Sequence, residues 1–201
     1  MRAFICFCLA LTLGACATRA PRSMSAADSA RGLALLEQRE QQLATYTVFR
    51  LTGRIAISDG KDSGSGSFDW DQRGSGYTLN FTAPVTAQNW RLESAPAQAQ
   101  LIESNGAVRV AANAEELLER ELHWRLPAAA LRYWVLGTRA PGSDSQTEFA
   151  ENGELAVLRQ NGWEIRYPAF DHTQTAVVPK KLFARSGDHQ VRISVRKWSF
   201  P

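Results

Sequence analysis

The sequence predicts a mainly β domain with a helical lid. The expected form is a half-open antiparallel β-barrel of about ten or eleven strands, enclosing an apolar cavity and covered by about three helical segments. Three observations carry this. Apolar and polar residues alternate in short runs from Phe49 to Val195. Asn-Gly pairs at 105–106, 152–153 and 161–162 sit beside alternating sequence, as hairpin turns do. A helical period appears in only three stretches, 29–44, 114–122 and 128–136. Each strand has one apolar and one polar face, so a flat sheet would need a second layer over all its apolar surface. The helical stretches are too short to fill a wide barrel but could cap one. Pattern alone leaves a fully packed α+β domain without a cavity equally open.

The elements follow in chain order. Residues 4–13 form an apolar run behind the single basic residue Arg2. This is too short to span a bilayer, which needs roughly 20 residues, and has the layout of a cleaved secretory leader. Gly14 and Ala15 leave room for a peptidase before Cys16. Residues 1–15 are therefore expected to be removed, with cleavage between Ala15 and Cys16. Residues 16–28 are small and polar and read as a tether, and 29–201 as one domain. In 29–44, Leu33, Leu36 and Leu43 share a helical face, although Gly32 weakens the start. The period then changes to two. "VFRLTGRIAIS" puts Ile55 and Ile57 on one face and Arg50 and Arg54 on the other. Asp59-Gly60 and "DSGSG" mark a turn or loop. Phe68 with Trp70, Leu79 with Phe81 (and Tyr77), and Trp90 with Leu92 fall on single faces of the next strands. Asn113 and Glu116 resemble a capping box opening 114–122. Pro127 suits a first helical turn, Leu131, Trp134 and Val135 share a face, and Gly137 suits the helix end. The last strand, "QVRISVRKW", sets Val191, Ile193 and Val195 against Arg192, Ser194 and Arg196.

Composition narrows the function. The formal charge of +3 falls to +2 once Arg2 leaves, with no basic block that would point to nucleic acid. Cys6 and Cys8 belong to the leader, so Cys16 has no internal disulfide partner. An unpaired thiol in an exported chain needs an explanation, and acylation supplies one. There is no phosphate loop and no usual metal spacing, so no cofactor and no metal is expected. Asp171-His172 with a distant serine is a conceivable hydrolase pair, but "GxSxG" is absent. No enzyme activity is expected.

Leu13-Gly14-Ala15-Cys16 resembles the bacterial lipobox, which implies lipidation of Cys16. Ala17 stands where an inner-membrane retention aspartate would be, which implies the outer membrane. After this come "LTGRIAIS", "LRYWVLG", "NGWEIRY" and "VRISVRKW", in that order. The order and the lipobox together resemble the LolB family, outer-membrane lipoproteins that receive other lipoproteins from the periplasmic carrier LolA. The resemblance covers roughly residues 30–198. It implies a half-open barrel with helices across its mouth, no nucleotide hydrolysis, a LolA-like carrier, acylated cargo and outer-membrane lipid as partners, and a monomer facing the periplasm. It also implies that the loop in "NFTAPVTAQNW" projects an apolar residue toward lipid. That residue is Val85, after Pro84, where the family usually has leucine. Residues expected to line the acyl-chain cavity are Ile55, Ile57, Phe68, Trp70, Leu79, Phe81, Trp90, Leu92, Leu131, Trp134 and Val135. The alternative is an outer-membrane lipoprotein that binds another apolar ligand or acts as a structural assembly partner. The basic outer face of Arg50, Arg54, Arg192 and Lys197 reads either as a solvated sheet face or as a surface for an acidic carrier rim.

Overall fold

The computed structural model describes residues 25–84 and 88–201. The leader, most of the tether, Ala15, Cys16 and Val85 lie outside the described residues.

The first helix, α1 (Ala26–Ala44), starts three residues earlier than its periodicity suggests. Ser25 explains this: it caps the helix by accepting from the Asp28 N–H. Its buried face is Gly32, Leu36 and Leu43, whereas Leu33 is 37% exposed. The expectation that Leu33 faces inward is thus corrected. Gly32 lies against the ring of Phe149, where an added Cβ would be 2.3 Å from Cγ. Close approach, not hydrophobicity, sets the rotation of α1.

Eleven strands follow: β1 (Val48–Ser58), β2 (Ser63–Arg73), β3 (Gly76–Ala83), β4 (Gln88–Ala95), β5 (Gln98–Glu103), β6 (Val108–Ala111), β7 (Ser145–Phe149), β8 (Leu155–Gln160), β9 (Trp163–Asp171), β10 (Val178–Ser186) and β11 (His189–Ser199). They make one antiparallel sheet in the order β6-β5-β4-β3-β2-β1-β11-β10-β9-β8-β7. The sheet is two hairpin runs joined where β1 pairs with β11. Asn161 and Gly162 both have positive φ, as a two-residue primed turn requires. The "SGSG" segment is not a loop: Ser63–Gly66 opens β2 and pairs with β1. Its glycines are there for room. A Cβ on Gly64 would lie 2.9 Å from the Trp124 ring.

Strands β6 and β7 are consecutive in the chain but lie at opposite edges of the sheet. The chain between them carries α2 (Ala114–Leu122) and α3 (Ala128–Trp134). This crossing is the reason for the lid: the edges do not pair with each other, and the helices occupy the concave side instead. α2 is capped by Asn113, which accepts from the Glu116 N–H. α3 stops two residues short of the expected end. Gly137, at φ 68°, donates its N–H to the Trp134 carbonyl and turns the chain away.

Candidate functional site

The apolar faces of β1 to β4 and β11 all turn to the concave side. Cross-strand register aligns them: Phe68 lies opposite Phe81 and Phe81 opposite Trp90. Trp70 and Leu92 both flank Leu79 in the same way. The Phe81 and Trp90 rings stack at 4.9 Å, and Trp124 meets both edge-on at 5.4 and 5.5 Å. Together with Ile55 and Ile57 these side chains form one wall. Leu118 of α2, Trp124 and Leu126 of the link, and Ala128 and Leu131 of α3 form the other.

Nine of the eleven residues expected to line the cavity meet here. Trp134 and Val135 do not, and their placement is corrected. One turn on from Leu131 along the same buried face, Trp134 meets β8 and β9 instead, 6.2 Å from Trp163 and donating its indole N–H to Gln160 at 3.0 Å. Both are fully buried, and the Trp134 contacts hold the end of α3 to β8 and β9. The lining also includes Tyr77 and Ile193, which the same alternation could have nominated, and Leu118, Trp124, Leu126 and Ala128, which it could not. Trp124 lies in a link without helical or strand period, so nothing local marks it as part of the wall.

The hollow is small. Its free volume is ≈ 20 Å³, near the size needed for one water. The expected cavity is present as a surface but filled: Trp124, Leu126 and Leu131 pack against the strand wall and leave little space before it. Every one of its fifteen lining residues is aliphatic or aromatic. Burial raises the Tyr77 phenol above its ordinary pKa, so it stays neutral. The indole N–H of Trp90 has no hydrogen-bond partner among the described residues.

A second concave space, of ≈ 750 Å³, opens between the end of α1, the β2–β3 turn and residues 138–145. Its rim is polar. The Glu40 carboxylate accepts from the Arg139 backbone N–H at 2.8 Å and from its guanidinium at 2.6 Å. Beside it Arg39 donates to the Leu136 carbonyl at 2.6 Å and lies 4.6 Å from the Phe170 ring centre. Burial pulls the Arg39 pKa down to about 10. These two residues tie α1 to the turn that follows α3.

Pro84 is exposed at the end of β3. Ala83 pairs with Gln88 at the same end of the sheet, each two residues from Phe81 and Trp90 respectively. The imagined Asp171-His172 relay is not assembled. Asp171 accepts from Thr173, and exposed His172 lies 3.2 Å from Glu154. Among the described residues no helix is long and apolar enough to cross a membrane.

Comparison with known proteins adds to this geometry. The family model described as Outer membrane lipoprotein LolB matches residues 47–198. An outer-membrane lipoprotein LolB of Pseudomonas fluorescens is 30% identical over 201 residues, covering 98% of this chain and 96% of that protein. One from Alkalilimnicola ehrlichii is 33% identical over 191 residues, covering 94% and 92%. Among solved structures, a LolA-superfamily protein from Nitrosomonas europaea superposes with a TM-score of 0.56 at 9% identity, covering 85% of this chain and 93% of that one. A DUF1329 family protein from Desulfovibrio piger gives 0.57 at 8%, covering 86% and 93%. At such identities these two are similar in fold alone.

Proposed function

The chain belongs to the LolB family of outer-membrane lipoproteins, and from that premise we propose that it takes acylated lipoproteins from a LolA-like periplasmic carrier into the hollow beneath α2 and α3 and releases them into the outer membrane. It acts as a monomer without nucleotide hydrolysis or other catalysis. Residues 1–15 are a cleaved leader, Cys16 carries the lipid anchor, and α1, from Ala26, reaches back into the expected tether.

The observation that carries this reading is the wall of the hollow, continuous and wholly apolar over five neighbouring strands. Acyl chains need such a surface. Each CH₂ left in water costs about 0.8 kcal/mol, so a triacylated protein needs shelter worth tens of kcal/mol. A hollow of ≈ 20 Å³ holds no acyl chain, so uptake requires α2, α3 and their link to swing off the sheet. Cargo then exchanges lid contacts for acyl contacts on the same wall, which keeps the energy difference small and the transfer reversible. Direction comes from differential affinity: cargo must prefer this wall to the carrier's, and the bilayer to this wall. Val85, beside Pro84, is the residue we assign to the bilayer. Burying a Val side chain gives about 1.5 kcal/mol at best, enough to bias this residue toward lipid that an anchor already holds nearby.

The test is uptake of a fluorescent long-chain fatty probe, followed by its transfer to liposomes. Saturable uptake, reduced by an acylated peptide competitor, is the expected result. A chain that binds no probe under conditions where the carrier does would overturn the reading.

A further inference from the structure

The convex side of the sheet carries a charge pattern that the transfer reading does not use. Strands β1, β11 and β10 are neighbours at the centre of the sheet. Not one residue in the three is Asp or Glu. They carry eight cations, all exposed: Arg50 and Arg54 on β1, Lys180, Lys181 and Arg185 on β10, and Arg192, Arg196 and Lys197 on β11.

Two register shifts enlarge the patch. Thr52 pairs with Lys197 and Gly53 with Val195, so Arg196 is an extra residue, and it and Lys197 both face outward. Likewise Pro179 pairs with Phe170 and Lys181 with Ala169, which leaves Lys180 beside Lys181 on the outer face. Strict alternation would have sent one of each pair into the core.

The flanking carboxylates are already engaged. Asp69 and Asp71 of β2 pair with Arg50 and Arg73, and Glu164 of β9 pairs with Arg159 and Arg166. Asp171 lies near Lys180, and Asp59, Asp62 and Asp188 lie in the hairpin turns that bound the patch at one rim. Between these limits Arg54, Lys181, Arg192, Arg196 and Lys197 have no carboxylate within 4.0 Å among the described residues. Phe183 lies in their midst, 42% exposed, with the Arg192 guanidinium 6.0 Å from its ring centre.

A face that only needs solvation tolerates both signs of charge. This one is single-signed across three strands that chain distance separates, β1 from β10 and β11, and it surrounds an exposed aromatic ring. It is broad, spanning three neighbouring strands, and only at its edge does Arg185 border a concave space, shared with Asp144 and Glu164. Charge complementarity therefore calls for an extended anionic surface, and an outer-membrane lipoprotein always has one beside it. We propose that this convex face docks on the anionic head groups of the phospholipid leaflet in which the chain is anchored, with Phe183 entering the head-group layer. The proposal rests on the family's membrane location and is independent of Val85. Docking would hold the barrel against the bilayer rather than free on its tether, and so fix which way its rim points.

The experiment uses the full chain anchored in vesicles, with an environment-sensitive dye on Ser194→Cys, an exposed position between Arg192 and Arg196. In vesicles containing phosphatidylglycerol the dye reports a less polar environment. In phosphatidylcholine alone it does not, and high salt reverses the shift. Each cation at an anionic surface strengthens attachment about fivefold. The triple variant Arg192→Glu, Arg196→Glu, Lys197→Glu should therefore lower the docking constant at least about a hundredfold. The charge-preserving triple Arg192→Lys, Arg196→Lys, Lys197→Arg should retain it, and both should still take up the fatty probe. Equal dye signals in the two vesicle types, or a shift that survives the charge reversal, would overturn the proposal. A shift produced by soluble polyglutamate but not by anionic vesicles would also overturn it, assigning the face to an acidic protein. Failed probe uptake with intact docking would count against the transfer reading alone.

Discussion

Gly32 marks the closest approach of α1 to the sheet. A methyl group there has no room beside Phe149, and a branched side chain has less. Gly32→Val is expected to lower stability by about 1–3 kcal/mol, the usual range for overpacking, read as a lower urea midpoint with unchanged slope. Gln160 is the other residue on which much depends. It is 3% exposed and uses its whole amide. Its oxygen accepts from the Trp134 indole at 3.0 Å and from the Ala140 N–H at 2.8 Å. Its NH₂ donates to the Ala140 and Ser143 carbonyls. Gln160→Ala would strand two buried N–H groups, each worth about 1–3 kcal/mol. The expected outcome is a loss of about 3 kcal/mol or more by denaturant titration, with a weakened near-UV signal from Trp134. Neither role is legible in the sequence. Gly32 looks like a weak point in a helix and Gln160 like an exposed strand residue, because their partners lie more than a hundred and about twenty residues away respectively.

At the scale of elements, the segment from α2 to α3 decides whether the hollow is open. Its link, residues 123–127, has no regular structure, and α3 begins after Pro127, which gives it no side-chain cap. Trp124 is the plug: it rests edge-on against Phe81 and Trp90 and over Gly64. Trp124→Ala is expected to vacate space on the acyl wall. The fatty probe should then enter faster, while stability falls by about 3 kcal/mol, toward the low end for Trp→Ala because the ring is only partly buried. Stopped-flow uptake and thermal melting measure the two effects. If Trp124→Ala slowed uptake, Trp124 would be a contact for cargo and not a plug. The bounds of α2 were readable from Asn113 and Glu116, because capping chemistry is local. Trp134 and Val135 share the buried face of Leu131 but do not line the hollow, because a helical face can be read from period and the strands it meets cannot.

The whole molecule is organised by one topological fact: β6 and β7 are adjacent in the chain and opposite in the sheet. The helices between them must cross the concave side, which puts an apolar lid over an apolar wall. At this scale Val85→Glu is expected to leave probe uptake unchanged and to abolish transfer from the protein to liposomes. A carboxylate at a bilayer surface loses the apolar gain and adds a desolvation cost. Normal transfer by this variant would remove Val85 from the mechanism. By itself the sequence determined most of the strands and their inward residues, the hairpin turns, and through the order of its segments and the lipobox the resemblance to the family and its fold. All of these rest on local period, turn chemistry or linear order, which a chain carries without folding. Only the tertiary structure decided that the hollow is filled, which residues of α3 line it, and that the cations of β1 join those of β10 and β11 on one face. Each of these depends on which distant surfaces come into contact. Alternation states that a residue points inward or outward, but only pairing across the sheet states what it meets there.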